Sequence, residues 1–242
     1  MIQTVAETGS TNADLLSRLS AGESISEGYW LRAEQQSTGR GRSGREWLSR
    51  PGNLYTSTVV NLRADDPPAH TLSLVVGLAA WEVLNNHLKD GAHLRLKWPN
   101  DILVGQAKIA GILLERTGDY VVAGIGINVR FAPDIAGREI TCIHDVNRTN
   151  MAGPEHILLD LTEQLTAALK IWRGEGLSNV IRQWNARAFP NGTAISVHID
   201  ENERLSGEFA GLDETGSLIL RLADGVMRTI HAGDVSLLSE KD

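Results

Sequence analysis

Apolar residues recur every three or four positions in four segments of the chain, which is the spacing typical of helices with one buried face. The segments are, approximately, residues 11–21, 69–88, 154–172 and 177–188. Ser10 or Thr11 suits the cap position of the first helix, and Gly22 stops it. The pattern therefore predicts four helices, and it places Leu158 and Leu161 on the buried face of the third.

Other segments alternate apolar and polar residues or are rich in β-branched residues, as strands are. In chain order these predicted strands cover residues 29–34, 53–62, 94–98, 102–104, 108–115 and 120–129. From about Pro190 the period becomes two, and turn signals recur at Glu214–Gly216 and at Asp224–Gly225. We therefore predict a mixed α+β domain with a largely antiparallel sheet over residues 1–189, followed by a small all-β domain over 190–242.

The composition is that of an ordinary globular protein, with 42% hydrophobic and 22% charged residues. The net charge of −7 disfavours a general binder of nucleic acid or of anionic membranes. No apolar run reaches the roughly 18 residues that a membrane helix needs, and the N-terminus lacks the pattern of a signal peptide. The single cysteine, Cys142, lies among apolar residues, so we expect a buried, unreactive thiol in a cytoplasmic protein.

The stretch from Gln35 to Trp47 contains three glycines that alternate with three arginines. They are Gly39, Arg40, Gly41, Arg42, Gly44 and Arg45. Glycine lets backbone N–H groups come close to a ligand, and arginine offers a planar fork of donors to carboxylate or phosphate. We expect this loop to wrap a compact anion and to be mobile when empty, because its like charges then lack partners. A solvated basic turn is the alternative interpretation.

The same loop spells the G-x-G-x-x-G pattern of dinucleotide-binding folds from Gly39 to Gly44. That pattern has its meaning only where the glycines open a helix that packs on a sheet. Only the residues from Arg45 to Arg50 separate the last glycine from Pro51, which is too short for such a helix. A nicotinamide or flavin site is therefore disfavoured.

Two other features suit a small polar ligand and also have simpler explanations. Ser10, Thr11 and Asn12 at the start of a helix form either a cap alone or a cap together with a donor-rich cradle. Lys108 is the only charged residue in the run 107–114. It is either an edge residue that discourages strand pairing or a lysine that binds an anion.

These stretches together closely resemble the biotin–protein ligases, also called biotin–acetyl-CoA-carboxylase ligases, from Glu7 to the end of the chain. The resemblance rests on Gly9–Asn12, Gln36, Gly39–Trp47, Gly52–Tyr55, Lys97–Asp101, Lys108–Glu115 and Gly124–Asn128. Each motif is weak alone, but their order and spacing together are specific. The related lipoate ligases carry a different glycine-rich signature ending in His-Asp, which this sequence lacks.

The resemblance implies a class II synthetase-like catalytic domain with a small C-terminal β-barrel like an SH3 domain. It also implies two half-reactions. The biotin carboxylate attacks the α-phosphate of ATP to give biotinyl-5′-AMP, and a lysine of a biotin carboxyl carrier protein then attacks that anhydride. Members that repress transcription carry a DNA-binding domain ahead of these motifs, and only Met1 to Glu7 precede them here, so the resemblance implies the monofunctional form.

The resemblance assigns a set of biotin-binding residues. They are Ser10, Thr11, Asn12, Gln36, Gly39, Arg40, Gly41, Arg42, Lys108, Gly111, Gly124 and Gly126. Ser10, Thr11 and Gln36 suit the ureido ring, which has one carbonyl acceptor and two N–H donors. The last three glycines lie in predicted strands and would leave space for the bicyclic ring and its valeryl chain.

A second set implied by the resemblance binds ATP and the adenylate. Its members are Arg42, Arg45, Trp47, Asn100, Asp101, Lys108 and Asn128. Lys108 and Arg42 are the catalytic candidates, because Lys108 would supply positive charge where carboxylate meets phosphate and Arg42 would help the loop close over the adenylate. Trp47 would lie against adenine.

Mg²⁺ is expected to arrive with ATP and to be held mainly by phosphate oxygens, so we assign no metal-binding residue in the protein. For Asp101 two roles stay open. Its carboxylate would orient the metal or the incoming lysine, or it would only cap the turn at Pro99. Three alternative functions also stay open: a nucleic-acid module built on the arginine loop, a lipoate ligase, and a ligand-binding relative without catalytic activity.

Overall fold

The computed structural model describes residues 1–89, 91–199 and 203–238 of the 242-residue chain. Its strands are β1 (Ile2–Thr8), β2 (Trp30–Gln36), β3 (Leu54–Asn61), β4 (Leu94–Lys97), β5 (Asp101–Val104), β6 (Ala107–Thr117), β7 (Tyr120–Ile127), β8 (Ala194–His198), β9 (Arg204–Leu212), β10 (Leu218–Arg221), β11 (Met227–Ile230) and β12 (Asp234–Leu237). Its helices are α1 (Thr11–Ser20), α2 (Leu72–His87), α3 (Ile143–Val146), α4 (Pro154–Gly174) and α5 (Leu177–Arg187). Single turns of 3-10 helix lie at Arg42–Gly44 and Ala69–Thr71.

Strands β1 to β7 form one mixed sheet in the order β1-β2-β3-β7-β6-β5-β4. β1 runs parallel to β2, and the other neighbouring pairs of this sheet are antiparallel. Strands β8 to β12 form a second, antiparallel sheet in the order β11-β10-β9-β8-β12, which we call the C-terminal sheet. The predicted α+β fold with a largely antiparallel sheet and a separate C-terminal β unit is confirmed. The domain boundary at residues 189 and 190 stays a prediction.

The large sheet packs each face against different helices. On β7, Ala123, Ile125 and Ile127 belong to the main core, which contains α2, α4 and α5. Because side chains alternate along a strand, Gly124 and Gly126 fall on the opposite face, where α1 packs. One face of the sheet is thus covered by the main core. The other carries a smaller apolar cluster beneath α1, and beside that cluster the glycines leave room for a binding site.

The predicted helices are confirmed, with one difference in burial. α2 was expected to bury a single apolar face, but residues around its whole circumference are buried, including Leu74 and Leu78. The reason is that α2 lies between the sheet and the helices α4 and α5. No helix in the described ranges combines the length and the apolar character that crossing a membrane requires.

The C-terminal sheet is joined to the end of β4 by specific hydrogen bonds. Trp98 Nε1 donates to Gly216 O at 3.2 Å, and Lys97 Nζ donates to Val235 O at 2.8 Å. The second of these bonds holds β12 beside the end of β4. Residues at the far end of the chain therefore reach the same face of the large sheet as Gly124 and Gly126.

Candidate active site

A cavity of about 500 Å³ opens on the face of the large sheet that carries α1 and the glycine–arginine loop. Of the residues assigned from the sequence, all but Gly39 line it. Gly39 instead supports the loop, because a Cβ at this position would lie 2.4 Å from Trp47 O. The fold therefore brings the two proposed residue sets into one site.

One end of the cavity is formed by the start of α1. Ser10 is the cap of this helix, and its hydroxyl oxygen accepts a hydrogen bond from Ala13 N at 3.5 Å. Thr11 N donates to Gln36 Oε1 at 2.9 Å, and Gln36 Nε2 donates to Ser49 Oγ at 3.1 Å. Ser10 and Thr11 are buried, so this polar end is fixed in position before any ligand arrives. The structure shows the cap, and a ligand role for these side chains stays a proposal.

Both N–H groups of the Asn12 carboxamide and its oxygen form hydrogen bonds within the protein. Its Nδ2 donates to Leu113 O at 3.2 Å and to Glu115 Oε2 at 2.8 Å, and its Oδ1 accepts from Ser57 Oγ at 2.6 Å. A Cβ at Gly124 would lie 2.3 Å from Asn12 Oδ1. The space that the sequence assigned to biotin at Gly124 is thus occupied by Asn12, and the two residues hold α1 against β7.

The glycine–arginine loop folds back on itself as a hairpin from Gly39 to Trp47. Gly41 N donates to Arg45 O at 2.7 Å, and Trp47 N donates to Gly39 O at 2.9 Å. The turn has left-handed backbone at Ser43, with φ 54°, and at Gly44, with φ 69°. Only one turn of 3-10 helix forms in this hairpin, which agrees with the exclusion of a dinucleotide-binding helix.

The arginines of the hairpin already have partners in the protein. Arg40 lies 3.3 Å from Glu115, Arg42 lies 3.3 Å from Asp234, and Arg45 lies 2.7 Å from Asp234. The expectation that these charges lack partners in the empty protein is therefore wrong. These ion pairs could not be predicted from the sequence, because the two carboxylates come from distant parts of the chain.

Trp47 ends the hairpin and lies over two glycines of the sheet. A Cβ at Gly126 would lie 2.5 Å from the Trp47 ring, and one at Gly111 would lie 2.9 Å from it. Lys108 Nζ is 5.2 Å from the ring centroid. The indole Nε1 is buried and has no hydrogen-bond partner. These glycines let the indole approach the sheet, and a contact between Trp47 and adenine stays a proposal.

Lys97, Asp101 and Lys108 form a cluster of charges on the cavity wall. Asp101 Oδ1 accepts from Lys108 Nζ at 2.6 Å, and Asp101 Oδ2 lies 3.3 Å from Lys97 Nζ. Burial lowers the pKa of Lys108, and the Asp101 carboxylate offsets this only in part. Burial by itself raises the pKa of Asp101, but the two lysines outweigh it and hold that pKa below its ordinary value. The carboxylate thus binds two lysines, which disagrees with a role limited to capping the turn at Pro99.

The two asparagines of the proposed nucleotide set are fixed by backbone groups. Asn100 Nδ2 donates to Ile112 O at 2.7 Å, and Asn128 Nδ2 donates to Thr141 O at 3.0 Å. Asn53 Oδ1 accepts from three successive backbone N–H groups that follow Asn128. Asn53 therefore shapes the chain beside the cavity, a role that its motif in the sequence did not reveal.

Two segments of the site were not found from the sequence. The first is the segment 133–140, in which all residues except Asp134 and Ala136 line the cavity. The second is β12, which begins at Asp234. Lys108 N donates to Glu139 O at 2.8 Å, which holds the first segment beside the start of β6. Neither segment carries a pattern that points to a ligand, so only the fold places them here.

Two further expectations concern cysteine and metal. Cys142 is buried, and burial raises the pKa of its thiol to about 11, in agreement with the expected unreactive thiol. Within the described ranges, no three His, Cys, Asp or Glu side chains come together in a way that would hold a metal ion.

Comparisons with known proteins agree with this geometry. The model of the Biotin/lipoate A/B protein ligase family matches residues 8–131, and that of the Biotin protein ligase C terminal domain matches residues 194–238. The biotin–[acetyl-CoA-carboxylase] ligase of Paracoccus denitrificans is 35% identical over 90% of this chain and 92% of its own length. The ligase of the same name from Mycobacterium tuberculosis is 34% identical over 97% of this chain and 88% of its own length.

A solved structure has the same fold along almost the whole chain. The biotin protein ligase from Aquifex aeolicus, determined in complex with biotin and ATP, superposes with a TM-score of 0.84 at 27% identity and covers 98% of both chains. The matched family model covers the cavity from Ser10 to Asn128, and the matched C-terminal model covers β8 to β12. The chain therefore belongs to the biotin protein ligases of the biotin/lipoate A/B protein ligase family.

Proposed function

We propose that this chain is a biotin–[acetyl-CoA-carboxylase] ligase, which activates biotin as biotinyl-5′-AMP and transfers it to a lysine of a biotin carboxyl carrier protein. One observation is the main support for assigning the activation of biotin to this cavity. Lys108 of β6 and the hairpin residues Arg42 and Arg45 line the same cavity as the polar start of α1. A carboxylate and a triphosphate repel each other, and such a group of fixed cations lowers the cost of bringing them together.

The biotin carboxylate attacks the α-phosphorus of ATP, a P–O bond forms to the carboxylate oxygen, and the bond to pyrophosphate breaks. We assign Lys108 to the oxygens at which negative charge accumulates during this step. Its ammonium is held by Asp101 at 2.6 Å, so it is oriented before the substrates bind. Preorganised charges of this kind stabilise a transition state without further rearrangement.

The ureido ring is assigned to the start of α1, where Ser10, Thr11 and Gln36 are fixed by the cap and its hydrogen bonds. Asn12 and Gly124 are assigned to support this end, since the Asn12 carboxamide has no free N–H group. The adenylate is assigned to the side of the cavity that holds Trp47.

Mg²⁺ is assigned to the phosphates of ATP, because the donor set of the cavity does not suit a resident ion. Asp101, the carboxylate of the lysine cluster, is already bound by Lys97 and Lys108. Mg²⁺ characteristically keeps several waters and phosphate oxygens as ligands. The ion would neutralise charge on the triphosphate when bound, and the lysines and arginines of this chain orient the reacting groups.

In the second half-reaction the amine of the acceptor lysine attacks the carbonyl carbon of the anhydride, and AMP leaves. Residues of the Gly39–Trp47 hairpin line the cavity, and we assign the hairpin to shielding the anhydride from water before the carrier arrives.

The proposed function is tested by incubating the protein with biotin, ATP, Mg²⁺ and a biotin carboxyl carrier domain. Intact-mass measurement of the carrier is expected to show the addition of one biotinyl group at one lysine, and omission of either small substrate is expected to prevent it. An unmodified carrier, together with no biotinyl-5′-AMP in the protein-free filtrate, would contradict the proposal.

A further inference from the structure

One carboxylate of the C-terminal sheet, that of Asp234, forms ion pairs with two arginines of the Gly39–Trp47 hairpin. Asp234 Oδ1 lies 3.3 Å from Arg42 Nη1, and Asp234 Oδ2 lies 2.7 Å from Arg45 Nη2. The neighbouring Gly233 O accepts from both Arg42 Nη1 and Nη2, at 3.3 and 3.4 Å. The two arginines therefore attach the hairpin to the first residue of β12, although these residues lie almost two hundred positions apart.

The strand that carries Asp234 is held firmly. Val235 O accepts from Lys97 Nζ at 2.8 Å, and β12 pairs with β8 along its length. A Cβ at Gly233 would lie 2.8 Å from His198 O, and its φ is 157°, so only glycine lets the chain approach β8 this closely. Asp234 is thus presented to the hairpin by a fixed support.

Charge makes this contact important for the hairpin. Arg42 and Arg45 line the same cavity as Lys97 and Lys108, and like charges within one cavity repel. The Asp101 carboxylate pairs with the two lysines. The Asp234 carboxylate pairs with the two arginines and so offsets their charge.

We infer that Asp234 is a positioning residue, a latch through which the C-terminal sheet holds the Gly39–Trp47 hairpin over the cavity. The latch closes the hairpin in the empty protein and slows the escape of biotinyl-5′-AMP from the loaded one. The second part rests on the proposed function, and the first part does not. Asp234 touches no substrate in this account and acts through Arg42 and Arg45.

The test compares Asp234→Asn with Asp234→Glu and with Glu214→Gln. Glu214 is exposed on a turn of the C-terminal sheet, so its substitution makes the same change of net charge away from the hairpin. Hydrogen exchange of residues 39–47 is measured in the empty full-length proteins, and release of pre-formed biotinyl-5′-AMP is measured by rapid filtration.

Asp234→Asn is expected to speed both exchange across the hairpin and biotinyl-5′-AMP escape by about 3–10-fold, the range for losing two partly exposed ion pairs. Asp234→Glu should restore both to within about twofold, because a carboxylate remains. Unchanged exchange across residues 39–47 in Asp234→Asn would overturn the latch. Faster exchange throughout β8–β12 would also overturn it, since the carboxylate would then only stabilise the sheet. Because exchange is measured without substrates, this outcome is separate from failure of the proposed ligase activity.

Discussion

Lys108 experiences two opposing influences, burial on the cavity wall and the carboxylate of Asp101 at 2.6 Å. Its charge is the main catalytic assignment of the site. Lys108→Ala is expected to lower adenylate formation by about 10²–10³-fold, the range for removing one preorganised stabilising group. The fold should persist, because the residue lies on the cavity wall rather than in the core.

The measurement is biotin-dependent adenylate formation in the variant and in Lys170→Ala. Lys170 is exposed on α4 and far from the cavity, so its substitution controls for the loss of a lysine. A Lys108→Ala protein that forms adenylate at nearly the normal rate would remove Lys108 from the mechanism.

The pH dependence of adenylation follows from the same pair of residues. Lys108 acts as an ammonium, and its pKa lies below the ordinary lysine value of about 10.4. Activity should therefore fall on the alkaline side at a lower pH than an exposed lysine would give. Asp101→Asn removes the group that raises this pKa, so the alkaline limb should move further toward neutral pH.

This shift is measured as kcat/KM for biotin against pH, with Glu214→Gln as the remote carboxylate control. An alkaline limb that stays in place or moves to higher pH in Asp101→Asn would show that Lys108 does not control it.

The hairpin and the large sheet meet through Trp47 and the two glycines beneath it, Gly111 and Gly126. Gly126→Ala would place a methyl group 2.5 Å from the Trp47 ring atoms, so the indole must move away from β7. We expect faster hydrogen exchange across residues 39–47 and adenylate formation reduced by about tenfold.

Gly174→Ala is the matched control for this change. Gly174 ends α4, and nothing lies within 4 Å of the position of a Cβ there. If Gly126→Ala leaves hairpin exchange as slow as in Gly174→Ala, the packing of Trp47 does not order the hairpin.

A substitution at Arg42 in the hairpin is expected to affect formation of biotinyl-5′-AMP less than its retention. Arg42→Gly removes charged hydrogen bonds to Asn100, Gly233 and Asp234 and adds flexibility to the turn. Adenylate formation should fall only in part, while biotinyl-5′-AMP should escape about 10–100-fold faster, which corresponds to about 1.5–3 kcal/mol.

Escaped biotinyl-5′-AMP is a reactive anhydride, so Arg42→Gly should biotinylate lysines of an unrelated protein present in the assay. Biotin incorporation into that bystander is measured beside the rate of intermediate release. Retention of the intermediate as tight as in the parent protein would show that the hairpin is not a lid.

Most elements could be predicted from the sequence, because their periods are regular. The four-residue helix α3 and the strand β1 are not predicted, and the strands of the C-terminal sheet are predicted only as a group. β1 lies at the edge of the large sheet, is mostly exposed and shows no clear alternation. The order of strands was also beyond the sequence, because nothing local specifies that β3 pairs with β7.

The site was predictable only where its residues lie in compact motifs. The hairpin, Lys108 and the start of α1 line the cavity as expected. The partners of the arginines were not predicted, because Asp234 reaches Arg42 from 192 positions away and stands in a short strand of ordinary pattern. Long-range ion pairs of this kind depend on the packing of the two sheets and leave no periodic signal.

For the whole molecule, the net charge is negative although positive side chains are concentrated around the cavity. The net charge is −7, yet arginines and lysines gather around one cavity. An acidic protein with a local basic site suits a small anionic substrate better than a nucleic acid, and the absence of nucleic-acid binding stays a prediction.

The most direct test of the whole account is exchange of labelled pyrophosphate into ATP in the presence of Mg²⁺, without a carrier protein. Exchange is expected to require biotin, to have no support from lipoate, and to be largely lost in Lys108→Ala. Exchange that proceeds without biotin, or equally well with lipoate, would contradict the assignment of this cavity to biotin activation.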